Sequence, residues 1–216
     1  MHLKRNKMPI VWPIRRKGTK YIAVASHSRT KSIPVLFILR DMLGLVQTRK
    51  EAKYFVLNGN VKINNKIRKD EKFPVLFFDT LSFEKTKKNY RLEIVNKKYK
   101  LKEISDAEAN KKIVKIIGKK IIDKNKIQMN LEDGQNFFMK EKFALGDSVI
   151  VDTKQNKVEK ILELKIGAKL LIIGGKHLGE SGKLKEIIPF EREKKYKIQL
   201  KDKEVILPGK TFLVVD

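Results

Sequence analysis

The hydrophobic periodicity predicts an α+β fold that is mostly β and is assembled from several small modules. Three observations carry that expectation. Helical spacing is confined to two stretches before residue 60 and a brief one near residue 106. From Val61 onward the apolar residues alternate in short runs broken by Gly, Asn and Asp. Those runs are too short and too close together to leave room for crossover helices, so neighbouring strands should be antiparallel. A chain of 216 residues allows one large domain or two to three small ones, and the pattern favours the small ones.

Residues 1–32 form the first segment, a basic arm. Its first thirty-one residues hold Lys4, Arg5, Lys7, Arg15, Arg16, Lys17, Lys20, Arg29 and Lys31 and no Asp or Glu. Such a segment cannot neutralise itself, so it is expected to be disordered when free and to order against a polyanion, most simply nucleic acid. Trp12, Tyr21 and His27 are available to stack on unpaired bases. Trp12 is taken as an RNA contact, the alternative being that it anchors the arm on the protein's own surface.

A helix is expected from Ser32-Ile33-Pro34, with Pro34 in its first turn, Leu36, Phe37 and Leu43 at helical spacing and Gly44 as a stop. A second helix follows Thr48-Arg49-Lys50-Glu51, a capping box in which hydroxyl and carboxylate each satisfy an orphan amide. Ala52, Phe55 and Val56 line its inner face and Gly59 ends it. The period then changes: Val61 and Ile63 flank a polar residue, Asn64-Asn65 makes a tight turn and Ile67 begins the return, which describes a β-hairpin. Leu76 to Phe78 lead through Asp79-Thr80 into Leu81-Ser82-Phe83. Two helices on a small sheet would bury these faces together, giving a module over residues 33–86.

Residues 87–165 read as a β-rich centre. Tyr90, Leu92 and Ile94 alternate, as do Ile127, Met129 and Leu131 before an Asp133-Gly134 turn. A capping box at Ser105-Asp106-Ala107-Glu108 marks a brief helix, and Gly146-Asp147 turns into Val149-Ile150-Val151. Residues 166–216 suggest a small barrel, with strands at Leu170–Ile173, Leu184–Ile188, Ile198 and Leu200, Val205–Leu207 and Phe212–Val215.

The formal charge is +25, from 50 basic and 25 acidic side chains, and self-repulsion of that size weakens the compact free state. Residues 1–80 carry 18 basic against 5 acidic groups, the rest 32 against 20. Seven of the nine arginines fall in the first 68 residues. Guanidinium forks suit phosphate pairs and base stacking, so specific docking is expected in the first third, with lysine giving diffuse attraction elsewhere. No cysteine is present, which excludes disulfides, thiolate metal sites and cysteine nucleophiles. His2, His27 and His177 are too scattered for a metal cluster, and no apolar run approaches the roughly 18 residues of a membrane span.

Thr48-Arg49-Lys50-Glu51-Ala52, with Val56, Gly59, Val61, Ile63 and Asn64, resembles the S4 RNA-binding domain. That resemblance implies a basic concave face for folded RNA, in which Arg49, Lys50 and Lys53 meet phosphates with help from the helix N-terminus, and to which Lys62, Asn64, Lys66, Arg68 and Lys69 of the hairpin region contribute. Asn65 stands where the turn is often glycine, and asparagine tolerates the same positive φ. The loop Gly174-Gly175-Lys176-His177-Leu178-Gly179-Glu180-Ser181-Gly182-Lys183-Leu184 resembles a KOW motif of SH3-like barrels. By that likeness its glycines let the backbone approach RNA, with Lys176, His177 and Lys183 as contacts. A nucleotide-binding P-loop would need Gly at His177 and Ser or Thr at Leu184, and is set aside.

The order of basic arm, S4 domain, β-rich centre and KOW barrel resembles the ribosomal protein S4e family, in its compact archaeal form. Family-like wording recurs at His2-Leu3-Lys4-Arg5, Trp12-Pro13, Arg40-Asp41, Arg68-Lys69-Asp70, Lys72-Phe73-Pro74 and Asp79. The resemblance implies a cytoplasmic structural constituent of the small ribosomal subunit. Its partners would be small-subunit rRNA and neighbouring small-subunit ribosomal proteins, with no cofactor, no small-molecule substrate, no membrane and no catalytic residue. The arm cations Lys4, Arg5, Arg15, Arg16, Lys17, Lys20 and Arg29 would then meet rRNA phosphates. Two other classes remain open: an S4-domain RNA-modifying enzyme, and a KOW-type transcription-associated RNA-binding protein. The first would need a catalytic domain, and the chain after the S4 segment lacks a Gly-x-Gly-x-x-Gly loop or carboxylates spaced to single out a general base.

Overall fold

The computed structural model describes residues 2–84, 86, 88–123, 126–190, 194–200 and 203–215. It is mostly β, with few helices, and divides into two compact units, residues 1–112 and 113–216.

In the first unit β1 (Leu3–Lys4) pairs antiparallel with β2 (Tyr21–Ile22), Leu3 opposite Ile22. Arg5 closes the loop between them: its guanidinium donates to Thr19 O at 2.8 Å, Thr19 Oγ1 at 2.8 Å and Arg15 O at 2.7 Å. Gly18 sits at φ +135°, backbone that strains a residue with a Cβ, and a Cβ there would also crowd Arg5 Cζ at 3.3 Å. The arm is therefore held by its own chain, against the expectation that only a polyanion would order it. Backbone carbonyls supply the acceptors that the missing carboxylates would have supplied.

β3 (Ser32–Pro34) pairs with β6 (Pro74–Leu76), Ser32 opposite Leu76. This corrects the expected helix start. Pro34 is extended, at φ −61° and ψ 142°, and the helix begins only at Val35, as α1 (Val35–Phe37) running into a π-helical turn over Ile38–Met42. The second helix, α2 (Arg49–Leu57), is capped as its sequence predicts: Thr48 Oγ1 accepts from Glu51 N at 3.3 Å, and the Glu51 carboxylate accepts from Gln47 N at 2.9 Å.

β4 (Val61–Ile63) and β5 (Lys66–Ile67) form the hairpin, with Asn64 and Asn65 at φ 49° and 61° in its turn. The sheet continues through β7 (Thr80–Phe83), β8 (Lys88–Val95) and β9 (Lys98–Ile104) in the order β5-β4-β7-β8-β9. Val61, Ile63, Leu81, Phe83 and Leu92 are buried, as are Ala52 and Val56 of α2. Asp79 is the unit's polar hub. Leu76 N donates to it at 2.7 Å, Asn64 Nδ2 at 2.8 Å, and Lys112 Nζ lies 2.7 Å away with both charged side chains 3% exposed. A buried carboxylate is tolerable only when its oxygens are so fully met. Ser105 caps α3 (Asp106–Ala109).

The second unit holds two antiparallel sheets. β10 (Lys111–Asp123), which starts at the boundary, lies with β11 (Lys126–Leu131), β12 (Asn136–Met139), β13 (Ser148–Asp152) and β14 (Lys157–Leu162) in the order β12-β11-β10-β13-β14. Val114, Ile116, Met129, Leu131, Phe143, Val149 and Val151 form its core. β15 (Lys169–Ile172), β16 (Ser181–Ile188), β17 (Lys195–Gln199), β18 (Glu204–Pro208) and β19 (Phe212–Val214) follow in the order β18-β17-β16-β15-β19. Among the described residues no ladder joins β18 to β19, so what is seen is a five-stranded antiparallel sheet over a core of Leu170, Leu184, Ile198, Phe212 and Val214.

Candidate nucleic-acid interface

α2 turns one face to the core and the other to solvent. Ala52 and Val56 are buried, while Lys50, Lys53, Tyr54 and Leu57, at helical spacings of three and four, are exposed. Tyr54 is 71% exposed, an aromatic surface on the same outer face as Lys50 and Lys53 that suits phosphates and an unpaired base together. Tyr54 was absent from the candidates drawn from sequence. The signal was available, because it falls on the opposite side of the helix from Ala52 and Val56.

Arg49 is differently placed. Its guanidinium is bound by the buried Glu71 carboxylate, with Nε to Oε1 at 2.8 Å and a second, shorter bond to the same oxygen. That hydrogen bond, then the charge of Glu71, raises the Arg49 pKa above its ordinary value. The pairing fixes the fork in place and offsets part of its charge. At the N-terminus of α2 the Glu51 carboxylate accepts from Gln47 N and from the Thr48 hydroxyl, interactions that hold its pKa below the usual range. The Glu51 carboxylate thus offsets part of the positive charge at this helix end.

Two of the residues expected to contact RNA spend their hydrogen-bonding edges inside the fold, Trp12 buried and Asn64 half-buried. Trp12 is 1% exposed, donates Nε1 to Ser32 O at 2.9 Å and packs its ring 5.3 Å from Phe37. Tyr99 N donates to Val11 O at 2.9 Å, and Lys98 Nζ donates to the Ile10 and Trp12 carbonyls, so the backbone of residues 10–12 ties the arm to β9. Asn64 spends its amide inside the fold, with Nδ2 on Asp79 and Oδ1 accepting from Thr80 N at 3.0 Å. The reason is the same in both: a polar hydrogen-bonding edge that reads as available in sequence is consumed by a partner distant along the chain.

Lys4, Arg15, Arg16, Lys17, Lys20 and Arg29 of the arm are exposed, as are Lys66 and Lys69. Arg5 is committed to the loop it closes, and Lys62 lies 2.6 Å from Glu84. Arg68 lies with Cζ 4.4 Å from the Phe73 ring centroid, and its buried Nε has no hydrogen-bond partner.

In the second unit Lys176 and Lys183 are exposed, and His177 Nδ1 lies 3.2 Å from Glu180 Oε2. Gly182 serves a different end from the one expected of it. A Cβ there would lie 2.5 Å from Gln199 O and 2.8 Å from Ile198 Cγ2, so glycine is required by the neighbouring strand of the protein itself. Lys185 and Lys197 share Glu204, whose pKa their hydrogen bonds pull down to about 2. Among the described residues no group of His, Asp and Glu is placed to hold a metal ion, and no helix is long and apolar enough to cross a membrane.

The family model "Ribosomal family S4e" matches residues 86–158, and that of the S4 domain matches residues 38–81. The chain is 38% identical over 190 residues to the small ribosomal subunit protein eS4 of Methanosphaera stadtmanae, covering 86% of this chain and 79% of that one. It is 34% identical over 215 residues to the protein of the same description from Pyrobaculum islandicum, covering 95% and 90%. In three dimensions it is similar to the crystal structure of the 30S ribosomal protein S4e from Thermoplasma acidophilum. There the TM-score is 0.73, with 24% identity, over 86% of this chain and 95% of that one.

Proposed function

The chain belongs to ribosomal family S4e, and from that premise we propose that it is a structural constituent of the small ribosomal subunit that binds and stabilises small-subunit rRNA. The observation that carries the reading is the outer face of α2, where Lys50, Lys53 and the exposed Tyr54 lie within the segment matched by the S4 domain. The work is binding. Phosphate contacts from this face and from the arm lower the free energy of one RNA fold relative to others, and the deep narrow groove of duplex RNA makes recognition a matter of shape, phosphate spacing and unpaired bases.

In this reading Arg15, Arg16, Lys17 and Lys20 supply phosphate contacts from a loop whose shape Arg5 maintains. The segments 1–32, 33–86, 87–165 and 166–216 act as arm, S4 domain, central domain and KOW-type SH3-like barrel. Lys176, His177 and Lys183 present the barrel loop to RNA. Neighbouring small-subunit proteins are the other partners, and the setting is the cytoplasm.

The test is the salt dependence of affinity for small-subunit rRNA. Each phosphate met by a cation releases condensed counterion, so Arg15→Ala with Arg16→Ala should reduce the log–log slope by about 1 for each phosphate left without its arginine. An unchanged slope removes this loop from the interface.

A further inference from the structure

A cavity of about 370 Å3 lies in the first unit between the β1–β2 hairpin and the α1 segment. The side chains on its wall include Arg5, Arg40, Arg49 and Lys72, and among the described residues no Asp or Glu lines it. The remainder is largely apolar or aromatic, with Tyr21, Ile22, Val24 and Leu36 among the lining residues. Arg5 is spent on the loop it closes. Arg40 and Arg49 are each held from the side by a carboxylate that does not line the cavity. Asp41 accepts from Arg40 Nε at 3.2 Å and from an Arg40 amino group at 2.9 Å, and Glu71 accepts from Arg49 Nε at 2.8 Å. Each fork therefore keeps a set direction and retains further N–H donors for a ligand.

We propose that this cavity receives one unpaired nucleotide of an RNA strand, with its base against Tyr21 and the apolar wall and its phosphate on Arg40, Arg49 and Lys72. The proposal rests on the RNA-binding reading above and adds a site to it. An inorganic anion would leave the apolar wall unused, and an apolar ligand would leave the cations unused. A nucleotide has both halves. The volume sits near the lower end of the roughly 300–1,000 Å3 typical of small-ligand sites, room for a single unit. Tyr21 is 47% exposed at the rim, with Lys20 Nζ 5.5 Å from its ring centroid and the His2 ring edge-on at 4.9 Å. Single-stranded RNA is held in this manner, with bases splayed onto aromatic rings beside cations. An RNA strand is favoured over a free nucleotide because Lys4 and Lys20 lie exposed on the hairpin that forms the rim, positioned for the phosphates on either side.

The full chain would be titrated with inorganic phosphate, a 5′-mononucleotide and a short single-stranded oligonucleotide, following the Tyr21, Val24 and Lys72 resonances by NMR. The expected result is that phosphate shifts Lys72 alone, and that both nucleotide ligands also shift Tyr21 and Val24, the oligonucleotide at lower concentration. Equal shifts with phosphate would make the cavity an anion site, tighter binding of the mononucleotide would make it a free-nucleotide site, and no shift at Tyr21 would leave it unoccupied. Each of these overturns the proposal. In parallel, Tyr21→Leu should weaken binding to small-subunit rRNA roughly 5- to 150-fold, the weight of one stacked base. Its folding is checked by far-UV circular dichroism. Wild-type affinity in this variant defeats the cavity assignment and leaves rRNA binding intact, whereas a wild-type chain that ignores the rRNA defeats the functional reading itself.

Discussion

Trp12 shows how a single residue's surroundings decide its role. In sequence it is the one tryptophan of a basic arm, which suits stacking on RNA, with anchoring the alternative. Its hydrogen-bond acceptor, Ser32 O, is twenty residues away, and its aromatic neighbour Phe37 is further still, so no local spacing revealed the choice. Trp12→Ala should therefore cost about 3–5 kcal/mol of stability in urea unfolding, the ordinary weight of a buried tryptophan. A cost near zero with weakened RNA affinity would return Trp12 to the interface. Glu204 makes a second prediction. Its carboxylate pKa is lowered from 4.5 to about 2 by Lys185 and Lys197. A lowered carboxylate pKa stabilises the fold above the ordinary value, and that contribution fades as pH falls from about 4.5 towards 2. Glu204→Gln should flatten this part of the acid limb, and a Glu204 carboxyl resonance titrating near 4.5 in the wild type would contradict the pairing.

At the scale of elements, what could be read in advance was what local chemistry encodes. The Thr48 capping box and the Asn64-Asn65 turn are complete within a few residues, and both appear where their sequences place them. Thr48→Ala should destabilise by about 1 kcal/mol, measured by denaturant unfolding, because Glu51 N then loses its acceptor. Ser32–Pro34 was misread as a helix start because its apolar residues fit either period. It is a strand only by virtue of Pro74–Leu76, some forty residues on. The requirement for glycine at Gly182 was equally invisible, since the clashing atoms belong to Gln199 and Ile198 on the adjoining strand. The candidate interface was legible in its cations and less so in its geometry. Helical spacing placed Lys50 and Lys53 outward and the capping box placed Glu51 at the helix end, but nothing local showed that Glu71 would hold Arg49. Lys50→Ala with Lys53→Ala should lower the salt slope of rRNA binding by about 2, and Glu71→Gln should alter it less.

Across the whole molecule the formal charge of +25 is the dominant fact. The first unit orders its arm through backbone acceptors, and the second pairs some lysines with glutamates, yet neither device cancels an excess of that size. Self-repulsion of this magnitude is relieved by a polyanionic partner. Membership of ribosomal family S4e identifies the kind of assembly in which such a partner is permanent. The most direct measurement is sedimentation of a cell lysate through sucrose gradients at low and high salt, with identification of the RNA that travels with the chain. Near-stoichiometric migration with small ribosomal subunits that persists into high salt is the predicted result. A light, salt-labile complex carrying varied RNA would contradict it.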